Sequence, residues 1–164
     1  METATLNTPT SVVTKDELLA SWLGHRKLTR KVIEAFPEDQ LFSHSIGGMR
    51  TFSAILQEIL GISGPGLREI VTGKTEPLEE HIKEATSKEN ILKLWDNATA
   101  DIIKYWNQIP AERFSETVRT FGQYDGTILS SIQYFIDNEI HHRAQGYVYL
   151  RSLGIQPPAF WDRY

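Results

Sequence analysis

The chain has 164 residues, the size of one domain built around one core. Hydrophobic residues make up 40% and charged residues 23%, which excludes disordered, collagenous and membrane-embedded compositions. With 17 Lys and Arg against 21 Asp and Glu the net charge is -4, the wrong sign for neutralising phosphates, and the absence of cysteine excludes disulfides, thiolate-held metal and a protein thiol nucleophile.

The first residues, METATLNTPTSVV, carry neither a basic n-region nor an apolar h-region, and no later run reaches the length of a membrane span. The expectation is a cytoplasmic protein with no membrane or nucleic-acid partner. Residues 1–13 read as a loose arm and 14–164 as a single domain.

Thr14 and Glu17 have capping-box spacing, so a first helix is predicted over 15–36, ending at Pro37. Leu18, Leu19, Trp22, Val32, Ile33 and Phe36 form its apolar stripe. A loop holding Gly47 and Gly48 follows. A second stripe, Phe52, Ile55, Leu56, Ile59 and Ile62, begins near residue 51, and Gly64-Pro65-Gly66 is expected to bend or interrupt it before Leu67, Ile70 and Val71 resume. Residues 74–86 are polar and acidic.

Thr86 and Glu89 repeat the capping-box spacing before a third helix carrying Ile91, Leu92, Trp95, Ile102, Ile103 and Trp106, with Pro110 beyond it. Residues 113–124 alternate apolar and polar, as an extended or hairpin segment does. The last helix is predicted over 127–153, with Gly154 at its end and Pro157-Pro158 barring continuation. Four amphipathic helices with no strand set to pair them imply an all-α, four-helix bundle.

Bundles place their sites on inward faces, so polar residues on apolar stripes are the candidates. Glu58 lies three residues after Ile55 and four before Ile62. Asn138 and His142 are an i, i+4 pair on the last helix, continued by Phe135 on one side and by Gln145 and Tyr149 on the other. A carboxylate, an amide oxygen and an imidazole are all metal ligands, the amide suiting hard cations. A metal-free arrangement satisfies the same residues, with protonated His142 against Glu58 and Asn138 hydrogen-bonded to either.

His25 lies on the first helix's stripe, as a pocket residue or as a satisfied core histidine. Asp137 with His141 and Glu139 with Arg143 have the spacing of solvated surface pairs. His44 and His81 carry no functional case. A serine-hydrolase elbow and phosphate-binding loops are absent, and the one Glu-x-x-His, Glu139 to His142, lacks the second copy a ferritin-like di-metal bundle uses.

The stretch Asn138-Glu139-Ile140-His141-His142-Arg143-Ala144-Gln145, followed by Tyr149-Leu150-Arg151, Gly154, Pro157 and Pro158, resembles the final helix of the DinB family. Met49-Arg50-Thr51-Phe52 is similar to the entrance of that family's second helix. The resemblance runs from residue 15 onward. It implies a four-helix bundle of up-down-down-up order, a homodimer, and one divalent metal held by three histidines.

Carried over position by position, the three ligands fall on Glu58, Asn138 and His142, of which only His142 is unchanged. A carboxylate in place of one imidazole lowers the site's net charge from about +2 to about +1, so a bound water or thiol is acidified less. The resemblance points to a modified site for Zn, Ni or Mn in a metal-dependent transferase acting on a low-molecular-weight thiol, or in a hydrolase, with His25 or His141 relaying protons. The alternative is a metal-free bundle that binds a small molecule or a protein through a degenerate site. Family membership names no substrate.

Overall fold

The computed structural model describes residues 11–164, so most of the predicted arm, 1–13, lies outside the described residues. Thr14 caps α1 (Lys15–Ala35), its hydroxyl accepting from the Glu17 N–H while the Glu17 carboxylate accepts from the Thr14 N–H at 2.8 Å. Both halves of the capping box therefore form. Pro37 then opens a short helix, α2 (Glu38–Ser43), where a loop was expected. Six residues are too few to show a stripe, and Leu41 alone of them is buried.

Thr51 caps α3 (Phe52–Thr72), which ends at Gly73 with φ 69°. The predicted interruption at Gly64-Pro65-Gly66 does not occur: the helix continues through Pro65. Gly64 has no Cβ to meet the proline ring, and Ile62, Leu67 and Ile70 on either side bury in one cluster. That packing offsets the hydrogen bond lost at Pro65.

The following irregular segment lies over α3, where an ideal Cβ on Gly61 would stand 2.1 Å from the Glu79 carbonyl oxygen. The next helix, α4 (Lys88–Trp106), is capped by Ser87, whose hydroxyl accepts from the Asn90 N–H at 3.1 Å. The cap sits one residue beyond the predicted Thr86–Glu89 box, and the Thr86 hydroxyl instead accepts from the Asn90 side chain.

A 3-10 turn over Ala111–Ser115 precedes β1 (Thr117–Thr120) and β2 (Tyr124–Thr127), which pair antiparallel with Thr117 opposite Thr127. The extended segment is thus a real hairpin, displaced a few residues from the predicted 113–124. Thr127 caps α5 (Ile128–Ser152), and Gly154 takes φ 74° beyond its end.

The described chain is mostly helical. α3 packs against α4 and α5, and α1 packs against the same two helices. One core cluster gathers Phe36, Phe52, Trp95 and Leu150, and a second gathers Trp22, Trp106, Phe121 and Phe135. No described helix is long and apolar enough to cross a membrane.

The C-terminal tail returns to α1. Lys31 Nζ lies 2.5 Å from Asp162 Oδ2, and Arg163 backs onto Gly24, where a Cβ would already stand 3.4 Å from the Arg163 backbone oxygen.

Candidate functional site

Glu58 on α3 meets Asn138 and His142 on α5. Glu58 Oε1 accepts from Asn138 Nδ2 at 2.9 Å and from His142 Nε2 at 2.8 Å. Oε2 is paired with the Arg50 guanidinium, from the loop just before α3. Tyr149, fully buried, donates its hydroxyl to the Arg50 carbonyl at 2.7 Å and fixes the backbone from which that guanidinium reaches.

Gln145 Oε1 lies 2.8 Å from His142 Nδ1. A carboxylate only accepts, so His142 carries a proton on Nε2. With the amide oxygen facing Nδ1 the ring is doubly protonated, whereas half a turn of the Gln145 amide serves the neutral ring. Burial raises the Glu58 pKa, but hydrogen bonds from Arg50, Asn138 and His142 outweigh it and bring it down to about 2. Glu58 is therefore a fixed negative charge near neutral pH.

The three-histidine metal implied by the sequence resemblance is tested by this geometry. Glu58 Oε1 holds the point on which Asn138 and His142 converge, and Arg50 puts a positive charge on the same carboxylate. Among the described residues no group of three or more His, Asp or Glu side chains is placed to hold a metal ion. One atom does suit a cation: Asn138 Oδ1 is buried with no hydrogen-bond partner. Both Glu58 oxygens are engaged, so a cation at this point has to displace the Arg50 guanidinium and two hydrogen bonds.

A cavity of about 310 Å³ opens beside Glu58, between α3, the hairpin and the start of α5. Ile62, Phe121 and Phe135 are buried and give it an apolar floor, while Tyr124 and Tyr134 are exposed. Phe121 holds φ 53° and donates its N–H to Glu69 Oε2 at 2.9 Å, a sparsely populated conformation that the buried carboxylate pins.

The other predicted residues lie elsewhere. His141 is exposed, its ring 5.0 Å from that of His142, and neither it nor His25, Gln145 or Tyr149 lines the cavity. His25 faces Arg143 and the tail: Arg143 Nη2 is 3.0 Å from Nδ1 and Arg163 Nη1 is 3.0 Å from Nε2. A neutral imidazole has one acceptor for these two donors. Burial, then the charges of Arg143 and Arg163, push the His25 pKa down to about 4.

Glu139 and Arg143 are not a solvated surface pair. Glu139 is fully buried; Oε1 accepts from the Thr29 hydroxyl at 2.6 Å, and Oε2 lies 3.4 Å from Arg26 Nη1. Arg143 Nη1 is 3.9 Å from Glu139 Oε1. Arg26 in turn stacks 3.4 Å above the Trp95 ring and donates to the Trp95 carbonyl. Two guanidinium groups at the helix interface require this carboxylate.

Arg50 and the cavity tyrosines were missed as site residues. Arg50 precedes its helix and obeys no periodicity. Tyr134 carried a usable signal, since it stands four residues before Asn138 and eight before His142 on the same face of α5.

Solved structures share the fold. A DinB-like protein from Bacillus cereus is 16% identical with a TM-score of 0.74, the match covering 89% of this chain and 97% of that one. A DinB-like protein from Bacillus subtilis is 18% identical with a TM-score of 0.71, over 90% and 99% of the two chains. No curated protein matches. The sequence profile of the DinB family matches residues 1–163, and the chain belongs to that family.

Proposed function

We propose that this is a metal-free, small-molecule-binding member of the DinB family, a four-helix bundle of up-down-down-up order in which Glu58, Asn138, His142 and Arg50 form a closed charge cluster at the wall of the cavity. The observation that carries this reading is the engagement of both Glu58 oxygens, one by Asn138 and His142 and the other by Arg50. A cation at the same point must compete with a guanidinium and break two hydrogen bonds. In this role the cluster ties α3 to α5 and holds a fixed negative charge beside an apolar pocket.

A second reading rests on Asn138 Oδ1, the buried oxygen without a partner. In that reading Glu58, Asn138 and His142 would hold a divalent ion, which would supply Lewis acidity toward a thiol or water in a transferase or hydrolase.

Elemental analysis and thermal melts of untagged protein with Zn, Ni and Mn separate the two. The parent chain is expected to hold no stoichiometric metal and to show no metal-linked rise in Tm. The Glu58→His/Asn138→His variant is expected to gain about 2–3 kcal/mol at a metal concentration about 100 times Kd, an effect that chelator removes. Stoichiometric metal, or a metal-linked rise in the parent, refutes the metal-free reading.

A further inference from the structure

The cavity beside Glu58 has a chemical sign. Its lining includes three carboxylates, Glu58, Glu80 and Asp125, and no Lys, Arg or His. Arg50 serves two of the three, touching Glu58 and lying 3.7 Å from Glu80, while Arg119 lies 3.2 Å from Asp125. Two guanidinium groups stand against three carboxylates, and the neutral form of His142 on Glu58 leaves one negative charge uncompensated at the mouth.

Tyr124 and Tyr134 flank that mouth, 53% and 56% exposed, an unusual exposure for two large rings at one opening. Burial, then the charges of Glu58, Tyr124 and Glu80, push the Tyr134 pKa up, which places its hydroxyl within the field of the same carboxylates. Below them lies the apolar floor of Ile62, Phe121 and Phe135. Phe121 is pinned in its left-handed conformation by the buried Glu69 carboxylate, so the floor is preformed. About 310 Å³ is the lower end of the range for small-molecule pockets.

We infer that this cavity takes a small organic cation with an apolar body, its ammonium group seated between the two tyrosines and Glu80 and its body on the phenylalanine floor. The inference rests on the reading of the cavity as a ligand site. Aromatic faces and a carboxylate attract an ammonium group together, and partial desolvation strengthens both. An anion of the same shape meets uncompensated like charge.

Calorimetric titration of the full chain at low salt with 2-phenylethylammonium, 2-phenylethanol and 3-phenylpropanoate tests this, because the three share a body and differ in charge. The cation is expected to bind about tenfold more tightly than the alcohol, and the anion not at all. Glu80→Gln and Tyr134→Leu change exposed side chains, and their helical spectra and melting curves check that they fold. Each should weaken the cation several-fold while leaving the alcohol unchanged.

Equal binding of cation and alcohol, or preferred binding of the anion, overturns the charge assignment and leaves the cavity standing as a ligand site. Unaltered cation affinity in both variants overturns the seat between Tyr134 and Glu80. If none of the three binds at millimolar concentration, the ligand-site reading falls and takes the inference with it.

Discussion

His25 should make the stability of this protein fall on mild acidification. In the fold its pKa is held down to about 4 from the usual 6.5, because burial and two guanidinium groups oppose a second proton. The unfolded chain has no such constraint. Between pH 6.5 and 4 the unfolded state binds a proton that the folded state refuses, so the stability fully present above pH 6.5 is lost as pH falls. The two values give about 2 kcal/mol at pH 5 and a ceiling of about 3 kcal/mol below pH 4. Solvent on the Arg163 side screens part of this, leaving about 1–2 kcal/mol at pH 5.

Urea denaturation of the parent and of His25→Gln at pH 7, 6 and 5 isolates the contribution. The variant keeps an amide oxygen to accept from one guanidinium and starts less stable at pH 7. Its deficit should shrink by about 1–2 kcal/mol between pH 7 and 5, equivalent to about 2–8 °C in Tm for a domain of this size. Parallel pH profiles for the two proteins, or a His25 ring signal titrating near 6.5 in the native state, refute the reasoning.

Glu139→Gln keeps the shape and the Thr29 hydrogen bond but strands Arg26 and Arg143 without a counterion. Chemical denaturation should show a loss of about 3–5 kcal/mol, and a loss below about 1 kcal/mol would mean that water or another group compensates. Gly61→Ala drives a Cβ into the Glu79 carbonyl, 2.1 Å away. It should cost about 2 kcal/mol or more despite the better helix propensity of alanine, and a stabilised variant in thermal melts would show that the overlying segment moves aside at no cost.

The long helices were legible because their apolar spacing and caps act locally. Thr14 with Glu17, Thr51 and Thr127 all cap through bonds reaching no more than three residues, which a linear sequence displays directly. Pro65 misled because what carries α3 past it is tertiary: the burial of Leu67 and Ile70 on its far side. α2 was missed for the opposite reason, being too short for any period to show.

At the site, Glu58, Asn138 and His142 were legible as polar residues on apolar stripes, and their mutual hydrogen bonding was within what the residue types allowed. α5 defeats the amphipathic reading beyond them. It buries Asn138 and His142 toward α3 and Glu139 and Arg143 toward α1, so two polar seams share one helix and no spacing rule distinguishes an inward glutamate from an outward one. Arg50 and the Glu80, Tyr124 and Asp125 side of the cavity mouth come from loop and hairpin residues whose proximity is set only when the chain closes.

The tail that crosses α1 is fastened less well than the helices it covers. Arg163 Nε and the Tyr147 hydroxyl are both buried without a hydrogen-bond partner, and each such group subtracts from the free energy that keeps its neighbourhood shut. Segments of this kind open by themselves far more often than the whole molecule unfolds. Amides in 159–164 should therefore exchange with solvent orders of magnitude faster than those of α3 and α5, and each opening exposes more of the His25 ring to water.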